Sequence, residues 1–150
     1  MIRICLIALF LLALTGAGLA ADPAPPGKKD RCPVCGMFVA PYPEWIATIT
    51  RVDGSQSYFD GCKDLFRYYF EQTTDERKRI AAIHVTEYYS TRLMRAEDLF
   101  FILGSDVLGP MGRELIPVAG KENAQTFLRD HRGSEILTFN QLNAAKLPTD

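Results

Sequence analysis

The sequence has few of the residues that mark the commoner functional classes. It contains only two histidines and four cysteines, and its formal net charge is −1. A near-neutral charge without a basic stripe gives no electrostatic support for nucleic-acid binding, which we therefore exclude. The sequence also has no paired carboxylates, no Ser–His–Asp spacing and no phosphate-binding loop. Because catalysis needs such a constellation, we expect a protein that is not an enzyme.

Long apolar runs are scarce, and the one present lies at the N-terminus. Residues 4–14 are almost all apolar, Arg3 precedes them, and small residues follow up to Ala20. This pattern predicts a signal peptide over residues 1–20. The run is shorter than the roughly 20 residues that a membrane span needs, which favours a cleaved signal peptide. A retained membrane anchor is the alternative. We expect an exported, periplasmic protein, with membrane association as the alternative location.

The cysteine count limits the use of disulfides. Removal of the signal peptide would discard Cys5 and leave Cys32, Cys35 and Cys62. An odd number of cysteines cannot form a complete disulfide framework. Either one thiol is free, or some of the thiols bind a metal ion.

The most informative segment is Cys-Pro-Val-Cys-Gly-Met, residues 32–37. It places two thiols beside a thioether, and soft sulfur donors suit Cu(I). Cys35 and Met37 are the candidate ligands, with Cys32 as a less certain donor. Met111 lies between Pro110 and Gly112, without bulky neighbours, and could close a site of three sulfur ligands. The sequence predicts a Cu(I) site.

Three other interpretations of the cysteines stay open. Cys32 and Cys35 could form a local disulfide with Met37 packed in the core. The same pair could catalyse thiol–disulfide exchange, because Cys-x-x-Cys serves redox proteins as well as metal sites. A zinc-stabilised interaction module would use both thiols with Cys62 and a histidine.

The remaining polar candidates have more ordinary interpretations. Cys62 lies at a predicted helix start, and we expect it to be a small, half-buried apolar side chain. His84 falls in an apolar strand and is expected to be structural and hydrogen-bonded. His131 is near a helix end, where a cation is favoured, and a role as a further copper ligand is the alternative. Asp60 is predicted to cap a helix and Asp106 to shape a loop.

The order of the predicted elements indicates an α+β fold. Residues 21–30 are proline-rich and predict an extended tether, and residues 31–150 predict one domain. The first half predicts strands at 45–52 and 56–59, a helix at 62–70 and a strand at 80–89. The second half predicts strands at 99–103 and 114–118, a helix at 121–132 and a strand at 136–139. Both halves read β-β-α-β, which predicts tandem repeats with helices packed on antiparallel sheet.

Three segments together resemble the NosL family of copper-binding accessory proteins of bacterial nitrous oxide reductase. They are residues 32–37, residues 58–66 (Tyr-Phe-Asp-Gly-Cys-Lys-Asp-Leu-Phe) and residues 104–117, around Met111. The resemblance covers residues 31–139 and implies paired β-β-α-β units. By match to the family it implies Cys35, Met37 and Met111 as Cu(I) ligands.

The resemblance also implies a function and partners. The protein would be a periplasmic chaperone that delivers Cu(I) for the copper–sulfide centre of nitrous oxide reductase. It would work with a membrane ABC-type assembly complex and the periplasmic component of that complex. Many members of the family are lipoproteins, whereas this sequence has no cysteine directly after the predicted signal peptide.

Overall fold

The structure is a computed structural model, and it describes residues 22–149. The predicted signal peptide and Cys5 lie outside these residues. Within residues 22–149, no helix is both long and apolar enough to cross a membrane.

The first half of the chain forms a four-stranded antiparallel sheet with one long helix. Strand β1 is central, with β2 on one side and β3 on the other, and β4 extends the sheet beyond β3. Helix α1 connects β2 to the short helix α2, which leads into β3. The bounds are β1 (Ala47–Arg51), β2 (Gln56–Phe59), α1 (Cys62–Glu71), α2 (Thr74–Arg77), β3 (Ile80–Thr86) and β4 (Leu93–Arg95).

The second half repeats this arrangement with three strands. Strand β5 is central, between β8 and β9, and helix α3 connects those two outer strands. A two-stranded hairpin, β6–β7, is inserted between β5 and β8. The bounds are β5 (Leu99–Leu103), β6 (Leu108–Gly109), β7 (Gly112–Arg113), β8 (Ile116–Ala119), α3 (Lys121–Asp130) and β9 (Glu135–Thr138).

The two halves therefore share one topology. In each, the first strand is central, the second lies on one side, and the strand after the helix lies on the other. The prediction of an α+β fold built from tandem β-β-α-β units with antiparallel sheets is confirmed. Pro117 lies in β8, an edge strand, as its missing N–H requires.

Aromatic packing joins the two halves. Phe66 of α1 is fully buried, and its ring contacts Phe101 of β5 at a centroid distance of 5.3 Å, edge to face. The same ring packs against Tyr69, Phe70 and Phe139. Helix α1 thus contributes to a core that includes residues from both sheets.

The structure corrects several details of the sequence prediction. Residues 43–45 form a 3-10 helix, so β1 begins at Ala47 and not at residue 45. Strand β4 was not predicted, and the second part of the glycine-rich loop at 104–112, together with Arg113, forms the β6–β7 hairpin. Pro23 is buried, so the proline-rich segment, predicted as an extended tether, packs on the fold at its start.

Candidate metal centre

The cysteine segment folds as a tight turn that is fixed by backbone hydrogen bonds. The N–H of Cys32 donates to the carbonyl of Met37 at 2.8 Å, and the N–H of Gly36 donates to the carbonyl of Cys32 at 2.9 Å. Gly36 has a φ of +78°, a conformation that favours glycine. The turn directs Cys32 into the core, while Cys35 and Met37 are half-buried. These bonds anchor the segment to itself, and the buried Cys32 anchors it to the fold.

Two aspartates face the two thiols. The thiol of Cys35 donates to Oδ1 of Asp60 at 3.3 Å, and the thiol of Cys32 donates to Oδ2 of Asp64 at 3.4 Å. One potential ligand atom from each of these four residues lies within 4.8 Å of the other three. Cys32, Asp60 and Asp64 are each at most 3% exposed. We call these four residues the thiol–aspartate cluster.

The cluster holds its thiols in the protonated form. Burial raises the pKa of Cys35 to about 11, and the nearby Asp60 carboxylate adds to the increase. Burial raises the pKa of Cys32 further still. The cysteines of residues 22–149 are free thiols. A metal ion that binds here must therefore displace protons.

Cys35 and Met37 are both accessible from solvent. They line an open surface cavity of about 380 Å³, whose other lining residues are Arg31, Gly36, Phe38, Pro41 and Tyr42. The guanidinium of Arg31 stacks over the exposed ring of Phe38, 3.7 Å from its centroid. An incoming ion can thus meet a thiol and a thioether without any unfolding of the core.

Met111 lies at the tip of the β6–β7 hairpin, between the paired residues Gly109 and Gly112. Its side chain is 39% exposed. Its carbonyl oxygen accepts a hydrogen bond from Nζ of Lys63 at 3.0 Å. Lys63 is in the first turn of α1, between Asp60 and Asp64 in sequence. The hairpin tip is therefore attached to the segment that carries the two aspartates of the thiol–aspartate cluster.

Glu114 forms a second connection to this segment. Its Oε1 accepts hydrogen bonds from the backbone N–H of Lys63 and, at 2.8 Å, from its own neighbour Leu115. Burial raises the pKa of Glu114 to about 8, although both N–H donors and the charge of Lys63 act in the opposite direction. The carboxyl group lies directly against Gly61, where a Cβ would be 2.2 Å from Oε2. A side chain at residue 61 would require the Glu114 carboxyl group to move from its hydrogen bonds.

The comparison with known families agrees with this architecture. The family model described as NosL matches residues 23–147, nearly all of the described chain. The chain belongs to the NosL family.

A solved structure provides the comparison of folds for this NosL family member. It is the crystal structure of the copper chaperone NosL from Shewanella denitrificans, with a TM-score of 0.69 and 18% sequence identity. The match covers 83% of this chain and 99% of that one. At this identity the likeness shows the fold alone. No curated protein matches this chain.

The structure brings together part of the predicted site of this NosL chain. Cys32, Cys35 and Met37 share one turn, and Met111 is connected to the same helix start through Lys63. His131 is not in the thiol–aspartate cluster. Its ring stacks on Phe127 at 4.3 Å and its Nδ1 is 3.1 Å from Asp106. Its role as a copper ligand stays a prediction that this geometry does not favour.

Two other residues differ in part from expectation. Cys62 is 4% exposed, and burial raises its pKa well above the ordinary value, in line with a small apolar role. His84 is also buried, as expected of a structural residue. Its Nδ1, however, has no hydrogen-bond partner within the described residues, so the expectation of a fully hydrogen-bonded histidine was wrong.

The aspartates are the part of the site that sequence reasoning missed. Asp60 was predicted to cap α1, but Gly61 is the N-cap residue and α1 has no side-chain cap. Asp60 instead accepts from a thiol 25 residues earlier in the chain. Asp64 looked like an ordinary acidic residue of a helix first turn. No pattern in the sequence indicated that Lys63 would be buried at this site either.

Proposed function

We propose that this protein binds Cu(I) as cargo and passes it to another protein, as a copper chaperone. The observation that carries the proposal is the pair Cys35 and Met37 at one open cavity, with a second methionine on a hairpin attached nearby. Thiolate and thioether sulfur are the donors that Cu(I) prefers. The family and the fold of the Shewanella denitrificans copper chaperone NosL support the same function.

Charge supports one thiolate in the copper site. A single thiolate with two thioethers neutralises Cu(I), whereas a second thiolate would add another negative charge to a site that already holds the buried Asp60 and Asp64. Uncompensated buried charge is costly. We therefore propose Cys35, Met37 and Met111 as the ligands of the cargo ion. Cys32, whose pKa is raised more strongly, remains a thiol that is hydrogen-bonded to Asp64.

The wider role follows from the family resemblance of the sequence. We propose that the protein works in the periplasm and supplies Cu(I) for the copper–sulfide centre of nitrous oxide reductase. Its partners would be a membrane ABC-type assembly complex and the periplasmic component of that complex. An open site suits this role, because a partner can displace the ligands one at a time.

A thiol–disulfide oxidoreductase that uses Cys32 and Cys35 is not favoured by the geometry. Redox-active cysteines have lowered pKa values, because the thiolate is the nucleophile. Here burial raises the pKa of both thiols. A zinc module that uses Cys62 and a histidine is not favoured either, since the thiol–aspartate cluster contains neither. An insulin-reduction assay that shows turnover dependent on Cys35 would revive the redox interpretation.

The proposed function is tested by Cu(I) titration of the reduced protein against a competing chelator. We expect one Cu(I) per monomer. A protein with Cys35→Ser and Met111→Ala together provides the reference. If the wild-type protein binds Cu(I) no more tightly than this double variant, the proposal is wrong.

Replacement of Met111 by leucine separates a ligand from a packing residue. The side chain is 39% exposed and the change preserves volume, so the unfolding temperature of the apo-protein should change little. Loss of the thioether should lower Cu(I) affinity at least about tenfold, or ~1.4 kcal/mol. Chelator competition and thermal unfolding check the two expectations. A destabilised apo-protein with wild-type copper affinity would make Met111 structural.

Copper affinity should rise with pH. The pKa of Cys35 is about 11, so at lower pH the thiol carries a proton that Cu(I) must displace. Each unit of pH increase lowers this competition and should strengthen binding about tenfold, with the increase ending near the pKa. Affinity measured between about pH 6 and about pH 8 tests this. A flat profile would mean that the Cys35 thiol is already ionised. Met111→Leu should show the same slope, because a thioether does not titrate.

A further inference from the structure

Lys63 is a buried lysine with two donors that reach the segment from Met111 to Glu114. Its Nζ donates to the carbonyl of Met111 at 3.0 Å, and its backbone N–H donates to the carboxyl group of Glu114. The side chain has no exposed surface. Burial of an ammonium group is costly unless hydrogen bonds and opposite charge compensate for it. Glu114 lies close enough for the Lys63 charge to counter part of the rise that burial causes in the pKa of its carboxyl group, and the ammonium group also supplies the hairpin tip with a donor that a leucine or methionine would lack.

The residues around Lys63 hold the thiols. Asp60 accepts from the thiol of Cys35 at 3.3 Å, and Asp64 accepts from the thiol of Cys32 at 3.4 Å. One turn of chain therefore contacts both thiols through its aspartates and the Met111 hairpin through its lysine. No other described lysine is fully buried.

Close packing leaves the hairpin little freedom to slide along α1. Glu114 lies between two glycines, because a Cβ at Gly61 would be 2.2 Å from its Oε2 and a Cβ at Gly109 would be 3.2 Å from its Cγ. Gly109 is the last residue of β6 and pairs with Gly112 across the hairpin. Glu114, which follows the hairpin directly, thus packs against its Gly109–Gly112 end and against the start of α1. The hairpin tip is attached to α1 through the hydrogen bond between Lys63 and the Met111 carbonyl.

We propose that Lys63 is a positioning residue that holds Met111 where its thioether can join the thiol of Cys35 on one copper ion. The proposal rests on the proposed function, since it concerns the geometry of the Cu(I) site. Lys63 acts on the carbonyl of a ligand residue and does not itself bind copper. The hydrogen bond fixes the backbone of the hairpin tip. The thioether is therefore preorganised, and copper binding does not have to order the loop.

A double-mutant cycle tests the proposal. The variants are Lys63→Met, Met111→Leu and the two combined, and each is titrated with Cu(I) against a chelator. Lys63→Met keeps an apolar stem and removes the donor. It should lower Cu(I) affinity about as much as Met111→Leu, at least about tenfold. In the Met111→Leu background, Lys63→Met should lower Cu(I) affinity by less than about twofold, because there is no thioether left to position. Lys78→Met is the matched control, since Lys78 is exposed and paired with Asp75.

The outcomes distinguish the proposal from the function on which it rests. If wild-type protein binds no Cu(I), the proposed function fails. If the wild type binds Cu(I) and Lys63→Met binds it equally tightly, the function stands and the positioning role is wrong. If Lys63→Met lowered Cu(I) affinity equally in the wild-type and Met111→Leu backgrounds, the positioning role would also be wrong. A general structural effect acts whether or not Met111 is present.

A measurement on the wild-type protein covers the case in which Lys63→Met does not fold. In protein with ¹⁵N-labelled lysine, the Nζ resonance of Lys63 should shift when Cu(I) is added, because its acceptor belongs to a ligand residue. The resonances of Lys78 and Lys121 should stay in place. A Lys63 signal that does not respond to Cu(I) in copper-loaded protein would overturn the proposal.

Discussion

Replacement of Cys35 by serine is expected to lower Cu(I) affinity at least about a hundredfold, or ~2.8 kcal/mol. A hydroxyl oxygen is a harder donor than a thiolate and stays protonated, so it supplies neither the soft sulfur nor the negative charge. Cys35 is only half-buried, and a serine hydroxyl can still donate to Asp60 in place of the thiol. The fold should therefore persist. Chelator competition on reduced protein and thermal unfolding of the apo-protein measure the two effects.

Cys62→Ala is the matched control for this experiment. Cys62 is a thiol of the same chain, but it is 4% exposed and lies outside the thiol–aspartate cluster. We expect this variant to retain wild-type copper affinity and to lose some stability through the small cavity it creates. If Cys35→Ser kept wild-type Cu(I) affinity while Cys62→Ala lost it, the copper ligand would be Cys62 and our assignment of Cys35 would be wrong.

Replacement of Phe66 by alanine should cause the largest loss of stability, about 3–5 kcal/mol. The ring is fully buried and contacts aromatic residues of α1, β5 and the 3-10 helix that follows β9. Its removal opens a cavity at the junction of the two halves. Urea unfolding, followed by circular dichroism, measures the free energy of unfolding of the variant against the wild type.

Val52→Ala is the control for the core substitution. Val52 is 69% exposed, so this change should cost less than about 0.5 kcal/mol. The shape of the Phe66→Ala transition is informative too. Because the ring belongs to the shared core, unfolding should stay a single transition at lower urea. Two separate transitions would show that each β-β-α-β half folds by itself and that Phe66 is not essential to their joint core.

Local patterns in the sequence were enough to predict the architecture. The β-branched residues of β3 and the apolar face of α1 produced the periodicities on which the β-β-α-β assignment rests. Asp53 and Gly54 predicted the β1–β2 turn, and Gly54 has a φ of +82° there. These features depend on neighbours within a few residues. A second copy of the pattern then strengthened the inference from the first.

The polar residues of the site depend on contacts that no local pattern records. Asp60 stands directly before a helix, which favours a cap, but its partner is a thiol 25 residues away. Lys63 is in the first turn of a helix, where a lysine is ordinarily solvated, yet it is buried against the Met111 hairpin. Long-range packing overrode the local preference in both cases. The sulfur ligands could be proposed because their chemistry is recognisable without their partners.

Burial of the thiols, with a smaller effect of the neighbouring Asp60, also affects how readily the protein is oxidised. Oxidants attack the thiolate, and with a pKa of about 11 the Cys35 thiol is almost entirely protonated at neutral pH. Cys32 is ionised more rarely still, and its sulfur is shielded from solvent. A Cys-x-x-Cys pair of this kind forms its disulfide slowly. In the same oxidising medium, the thiols of this protein should therefore stay reduced longer than those of an exposed Cys-x-x-Cys pair with ordinary pKa values.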